Sequence, residues 1–508
     1  MVYLGFRGRS LRTVLSLVAA TAFALQGYDQ AVMNGLLTLP TFLGVFPGMA
    51  NAAIEGTVVA LYEVGCALGA LSCAFIGDPL GRRRTIFAAG CTALVGVILQ
   101  SSTFVLGQLV TGRIITGLGV GALTATAPMW VSECSNARER GQHVLMQGFF
   151  AIGGIVVASW LEFGFYFIKN SSVNWRFPIA FQAFFCLIVA SLVLFLPESP
   201  RWLVKRGLYN EAQSVMGALE DWPANSATIQ QELDQIRTTF ADEQERPSSI
   251  WAMGPDRPFH RTVLAIGVAL LAQMSGINIV TFYSTSIFEG QLHYSPTESR
   301  IFSGCIQIWQ FFGSGLAIFL IDRFGRRNLL MAGAVGMCVA QGCLAGLTSI
   351  RGNKAAGEAA IFFYFVAMFF FPVSLFLIPF MYAAEISPLS IRHKVTAISA
   401  CTNWLFNFLV AEVTPQAMRN IGYRYYIVYA CINAFSFVVF YLFYPETKGR
   451  SLEEINDIFV RSKNVFDPVR VAGPLFVEDG SEVERIRERS DVDREDEIDT
   501  EPAEEGGK

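Results

Sequence analysis

Apolar stretches long enough to cross a bilayer return twelve times along this chain, at about residues 12–37, 55–77, 85–103, 106–130, 142–162, 176–196, 262–288, 299–321, 328–348, 358–383, 393–413 and 422–444. Crossing the hydrocarbon core takes ~20 mostly apolar residues in a helix, and only helices or closed barrels satisfy their own backbone there. The 508 residues are 53% hydrophobic and 16% charged, against about 25% charged in a soluble protein, so lipid is the main solvent. The charged motifs between the stretches recur once. Gly77-Asp78-Pro79-Leu80-Gly81-Arg82-Arg83 is echoed by Asp322-Arg323-Phe324-Gly325-Arg326-Arg327, Glu133 with Arg140 by Glu385 with Arg392, and Pro197-Glu198-Ser199 by Pro445-Glu446-Thr447. This pattern predicts an all-α membrane protein of twelve transmembrane helices in two pseudo-symmetric six-helix halves, over 12–196 and 262–444. Duplications of this kind build transporters with the site between the halves.

Lysine and arginine crowd one set of loops, at Arg7, Arg9, Arg12, Arg82 to Arg84, Arg138, Arg140, Arg323, Arg326, Arg327, Arg392, Lys394, Lys448 and Arg450. The positive-inside bias makes that side cytoplasmic. The N-terminus (1–11), a central loop (197–261) with short helices near 209–219 and 229–240, and the tail (445–508) are expected there. From about residue 470 the tail is dense in Asp, Glu and Arg with few large apolar residues, a composition that predicts disorder. Asn170-Ser171-Ser172 is a glycosylation sequon on the predicted outer side. The ten cysteines all lie in or beside apolar stretches and read as small core residues. No metal-ligand spacing, Walker loop or G-x-S-x-G elbow occurs, which argues against an enzyme, a cofactor or an ATP-driven pump. The expected partners are the lipid bilayer, a small polar substrate and a proton, with no nucleic acid.

Ionisable groups within apolar helices are expensive and mark function by default. Asp29 lies in the first stretch and Arg113 in the fourth. A pair of these that forms and breaks with conformation would load and release a proton; a static pair would only fix packing. Glu63, in the second stretch, is another proton station or the cap of a polar pocket. Gln147, Gln273, Asn278, Gln310, Asn403 and Asn407 put amides on helices of both halves, with Trp404 between the last two. Amides donate and accept, as a polyhydroxylated neutral substrate requires, although they also bond helix to helix. Gly65 and Gly69, like Gly117 and Gly121, have the spacing that lets helices approach closely.

Taken together, Gly27-Tyr28-Asp29, Gly77-Asp78 with Gly81-Arg82-Arg83, Gly112-Arg113, Glu133 to Arg140-Gly141, Pro197-Glu198-Ser199-Pro200-Arg201, Gln273 to Asn278, Asp322 to Arg327 and Pro445-Glu446-Thr447-Lys448-Gly449 resemble the sugar porter family of the major facilitator superfamily, and its fungal members in particular. The resemblance runs from about residue 12 to 460. It implies a major facilitator fold, alternating access and a plasma-membrane sugar or polyol transporter. It implies that Gln147, Gln273, Asn278, Gln310, Asn403 and Trp404 contact the sugar, and that Asp29 corresponds to the acid of proton-coupled members. Two positions depart from the family: Ala272 stands for the first of a glutamine pair, and Phe380 for a substrate-facing tryptophan on the tenth helix. Asp78, Arg82, Glu133 and Arg140, with Asp322, Arg326, Glu385 and Arg392, are expected to form a cytoplasmic gate of ion pairs between neighbouring helices, closed when the site faces out and loosened when it faces in. Proton symport is the leading reading. A facilitative uniporter, an exporter of a fungal metabolite and a nutrient sensor stay open.

Overall fold

A computed structural model of the chain describes residues 3, 5–135, 140–245, 249–254, 256–350, 352–450 and 452–473; the side chains of 74, 140–145, 239–245, 389, 390, 393 and 453 are outside that description too. The tail expected to be disordered falls largely on 474–508, outside the described residues. Twelve long helical spans follow one another: α1 (Gly8–Ala31, drawn out by a short 3-10 turn), α2 (Ala52–Leu80), α3 (Arg82–Ser101), α4 (Leu106–Cys134), α5 (Arg140–Tyr166), α6 (Val173–Val193), α7 (Pro258–Gly290), α8 (Pro296–Phe324), α9 (Arg326–Ser349), α10 (Lys354–Glu385), α11 (Leu389–Asn420) and α12 (Arg424–Phe443). Eleven are long and apolar enough to cross a bilayer. The other, α11, has the length at 32 residues, but Asn403, Asn407 and Glu412 dilute its apolar character. Both asparagines are buried, so α11 keeps its polarity for the interior.

Two spans are interrupted. Helix α7 stops after Gln273 and resumes at Ile277, with Gly276 at φ 84° in the break. A residue with a Cβ is strained in that left-handed conformation. Helix α10 passes through a π turn at Phe371–Phe376 that contains Pro372, whose missing N–H and ring disturb the regular ladder. Breaks of this kind free polar backbone inside a bundle, where it can line a cavity.

Within the N-terminal half, α2 and α4 lie almost backbone to backbone. Gly65 faces the Ile114 carbonyl and Gly117, and Gly121 faces the Cys66 carbonyl, so the small-residue spacing seen in the sequence does produce close approach. The helices Pro200–Lys205, Tyr209–Glu220 and Ala227–Glu245 lie in the central loop. The first two bond to the N-terminal half: Trp202 Nε1 donates to the Asp78 carbonyl at 2.7 Å, and Arg12 Nη1 donates to the Leu219 carbonyl at 2.6 Å. The helix Leu452–Arg461 belongs to the C-terminal half, where Arg261 Nη2 donates to Asn456 Oδ1 at 2.8 Å. All ten cysteines are free thiols.

A β-branched side chain at 121 would meet the backbone of α2. Gly121→Val should therefore destabilise the purified protein by about 1–3 kcal/mol or more, the usual cost of overpacking, whereas Gly107→Ala, facing open space, should leave its melting temperature in detergent nearly unchanged.

Candidate functional site

Asp29 and Arg113 are each 0% exposed. Arg113 Nη1 donates to Asp29 Oδ1 at 2.6 Å and Nη2 to the Val59 carbonyl at 3.1 Å, and the guanidinium lies 4.7 Å from the centre of the Tyr62 ring. The close approach of α2 and α4 is what brings Val59 and Tyr62 within its reach. The second Asp29 oxygen is buried without a hydrogen-bond partner. Glu63 follows Tyr62 and is also fully buried. Gln30 of α1 and Asn407 of α11 face it, while neither carboxylate oxygen has a partner at full hydrogen-bond geometry.

The amides predicted from sequence sit on α5, α7, α8 and α11. Three form a chain: Asn278 Nδ2 donates to Gln273 Oε1 and Gln273 Nε2 donates to Asn403 Oδ1, both at 2.6 Å, joining the two pieces of α7 to α11 across the break. Gln147 Nε2, Gln310 Oε1 and Asn407 Oδ1 are buried without partners. A buried orphan of this kind costs about 1–3 kcal/mol, which a ligand's hydroxyls would recover. Trp404 is 5% exposed beside them in sequence. Ala272 is buried and apolar. Phe380 differs from the rest: it is 47% exposed and, among the described residues, has no partner ring.

The gate residues form two matching clamps. Arg82, at the start of α3, holds Glu133 of α4 through Nε and Nη2 (3.0 and 3.1 Å) and Asp78 of α2 through Nη1 (3.0 Å). Arg326, at the start of α9, holds Glu385 of α10 (3.1 Å) and Asp322 of α8 (3.2 Å). Arg392 donates to the Ser387 carbonyl at 3.0 Å; the Arg140 side chain is outside the described residues. Each clamp joins neighbouring helices inside one half. Sequence reasoning missed two further acids of these clamps, although the repeated Pro-Glu motif pointed to them. Glu198 accepts from the backbone N–H of Arg82, Arg83 and Ser199 (2.9, 3.1 and 3.0 Å), and Glu446 from those of Arg326, Arg327, Thr447 and Lys448 (2.8, 3.1, 3.0 and 3.0 Å). They cap the positive N-terminal ends of α3 and α9. Gly81 (φ 85°) and Gly325 (φ 87°) make the turn, and a Cβ at either would run into its glutamate. Burial raises the Glu198 carboxyl above the ordinary glutamate range, although its N–H donors and the Arg83 charge act to lower it.

The opposite end is latched between the halves. Asn34 Nδ2 donates to Ser284 Oγ (2.8 Å) and Ser303 Oγ (3.0 Å), and Asn34 Oδ1 accepts from the Thr285 N–H (3.0 Å). Arg300, 4% exposed, donates to Glu289 (2.6 Å), Thr38 Oγ1 (2.5 Å) and the Gly35 carbonyl (3.2 Å), and the Gly35 N–H donates to buried Glu162 (3.0 Å). Thr57 donates to Glu412 (2.8 Å), and Arg419 reaches Glu55 (3.2 Å). Between described residues, the hydrogen bonds and ion pairs of full geometry that join one half to the other lie at this end; deeper in the bundle Asn407 of α11 faces Glu63 of α2. In this conformation, sealed here, the arginine clamps at the far end are all formed. Asn170 lies on the sealed end, exposed in the loop between α5 and α6.

Residues 15–459 match the sequence pattern of the family described as "Sugar (and other) transporter". Among curated proteins, the chain is 34% identical to the MFS-type transporter oryC of Aspergillus oryzae, over 90% of this chain and 87% of that one. It is 33% identical to the Sugar transporter STL1 of Saccharomyces cerevisiae, over 93% and 85%. Among solved structures, its fold is similar to that of the proton:xylose symporter XylE bound to 6-bromo-6-deoxy-D-glucose, with TM-score 0.75, 24% identity, and 89% and 99% of the two chains covered. The inward open conformation of XylE from E. coli aligns with TM-score 0.71 at 24% identity, covering 88% and 99%.

Replacing Glu198 with Ala leaves three N–H groups without their shared acceptor. The expected loss of stability is about 1–2 kcal/mol, the range for a lost N-cap, read as a lower melting temperature; Glu446→Ala should lower it comparably.

Proposed function

The chain belongs to the sugar transporter family of the major facilitator superfamily, and on that premise we propose that it carries a monosaccharide or polyol inward across the plasma membrane together with a proton. The observation that carries this reading is the Asp29–Arg113 pair, fully buried and joined by a 2.6 Å bond. A buried carboxylate is tolerated while its cation holds it; protonation weakens that bond and frees α1 and α4 to shift. The arginine-rich end faces the cytoplasm, as the positive-inside bias requires. The latched end faces out, so the conformation described is closed to the exterior. Asn170 is then on the exterior, where it can accept a glycan.

Substrate recognition falls to Gln147, Gln273, Asn278, Gln310, Asn403 and Trp404. The orphan atoms of Gln147 and Gln310 support this, because water or a hydroxylated ligand is what would satisfy them. Buried Ala272 removes one hydrogen-bonding partner and Phe380 an indole donor, which favours a smaller polyol or an atypical sugar over a hexose that needs both. The clamps of Arg82 and Arg326 keep each half rigid as the halves rock. In place of the loosening expected when the site faces in, both clamps are formed in this conformation, which is closed to the exterior, and their positions inside single halves favour a stiffening role over that of a gate.

Uptake of labelled glucose, fructose, xylose, glycerol and sorbitol in transporter-null yeast, with and without a protonophore, tests the reading. Accumulation of one compound should collapse with protonophore, and Asp29→Asn should abolish accumulation while the protein still reaches the surface. Accumulation by Asp29→Asn that still follows the proton gradient would overturn the coupling role. Gln147→Ala should weaken apparent affinity by about 5- to 150-fold, corresponding to ~1–3 kcal/mol for a polar contact left unmade.

A further inference from the structure

Building on the proton-coupled reading, we propose that Glu63 is a second proton-carrying residue and that Arg113 is one cation shared between it and Asp29. One of the two acids then always holds a proton. Glu63 is 0% exposed, and neither of its oxygens has a salt bridge or a donor at full hydrogen-bond geometry, although the Gln30 and Asn407 amides face it. The groups facing it are Tyr62 and Cys66 from its own helix, Asp29 and Gln30 from α1, Arg113 from α4 and Asn407 from α11. Arg113 is the only cation among these, and it is committed to Asp29 and to the Val59 carbonyl.

Two carboxylates buried away from bulk solvent do not both ionise beside a single guanidinium. An unpaired buried charge costs several kcal/mol, and a like charge alongside adds to that cost. The acid without a salt bridge, Glu63, therefore carries the proton in this conformation. When Asp29 takes a proton from outside, its bond to Arg113 loses its charge. The guanidinium, lying over Tyr62, then has Glu63 as its remaining counter-charge, and Glu63 gives up its proton. The Glu63 proton leaves toward the cytoplasmic side once the outer latch has closed, and transfer of the Asp29 proton to Glu63 restores the starting state with Asp29 again paired to Arg113, so one proton enters from outside and one leaves inward in each cycle. Asn407, with its oxygen unpartnered, faces Glu63 from the other half, one helical turn from Asn403 and Trp404. The protonation of Glu63 is thus presented to the helix that bears substrate amides, which gives a physical route from proton to sugar. The competing account is that Glu63 is permanently neutral and only fills space.

Infrared titration of the purified full-length chain in lipid nanodiscs separates these accounts without a substrate, because protonated buried carboxyls have their own C=O band. The wild type should show such a band at neutral pH, lost in Glu63→Gln and kept in Glu63→Asp. The decisive variant is Asp29→Asn. With Asp29 neutral, Arg113 should draw the proton off Glu63 and the band should vanish although Glu63 is intact. A band that persists in Asp29→Asn, or a wild type with no band attributable to Glu63, overturns the proposal. Each variant is scored on its monodisperse fraction; if Glu63→Gln does not fold, a shift of the band in Glu63→Asp attributes it to Glu63 and the Asp29→Asn spectrum then decides. Uptake that ignores a protonophore would strike down the coupling reading, while the shared-cation exchange would still stand or fall on the spectra.

Discussion

A guanidinium sealed from water is the constraint around which the N-terminal half is arranged. Arg113 can be tolerated there only because its surroundings are complete: a carboxylate from α1, a carbonyl and an aromatic face from α2. Removing one partner of a buried pair typically costs about 3–5 kcal/mol, since the other charge is left bare. The glycines of α2 and α4 follow from this, because the Val59 carbonyl and the Tyr62 ring reach the cation only when the two backbones almost touch. Under the proposed coupling, the same burial makes the pair a switch. In water a proton on Asp29 would change little; here it changes which contacts three helices can keep.

The bonds at the two ends of the molecule differ in kind. At the arginine-rich end the clamps are charge-assisted, partly bidentate and confined to one half, which makes each half stiff. At the other end the latch between halves mixes charged contacts with neutral ones, hydroxyl or backbone to amide, at Asn34 with Ser284, Ser303 and Thr285. A neutral hydrogen bond contributes about 1 kcal/mol net, so a few of them seal a gate yet open within the range of substrate binding and proton uptake. Charged groups take part as well: Arg300 ties the end of α1 to α8 through Thr38 and Gly35, Arg419 pairs with Glu55, and Glu412 accepts from Thr57. Rocking one stiff half against the other needs this division between permanent and breakable bonds.

The sequence displayed the spans, the duplication and most of the polar residues of the site, because hydropathy and repetition are local signals. It even counted α11, whose asparagines dilute its apolar pattern. The break at Gly276 and the π turn around Pro372 were not legible, since Gly and Pro occur throughout such helices without breaking them. Nor was the latch, which pairs residues such as Asn34 and Ser284 that lie far apart in the chain and become neighbours only when the halves meet. The capping role of Glu198 and Glu446 was half visible. The repeated Pro-Glu motif marked the residues, but only the fold shows helix N-termini pointing at them. Phe380, placed at the substrate site by resemblance, is 47% exposed and has no aromatic partner among the described residues, a position that hydropathy alone did not mark out.

The central claim is that substrate and proton move together. A pH electrode in a lightly buffered suspension of transporter-null yeast expressing the chain measures this directly, when the compound taken up in the panel is added. The account predicts alkalinisation of the medium on addition, in step with entry of the labelled compound and absent in Asp29→Asn cells. Entry of the compound with no movement of external pH would contradict it.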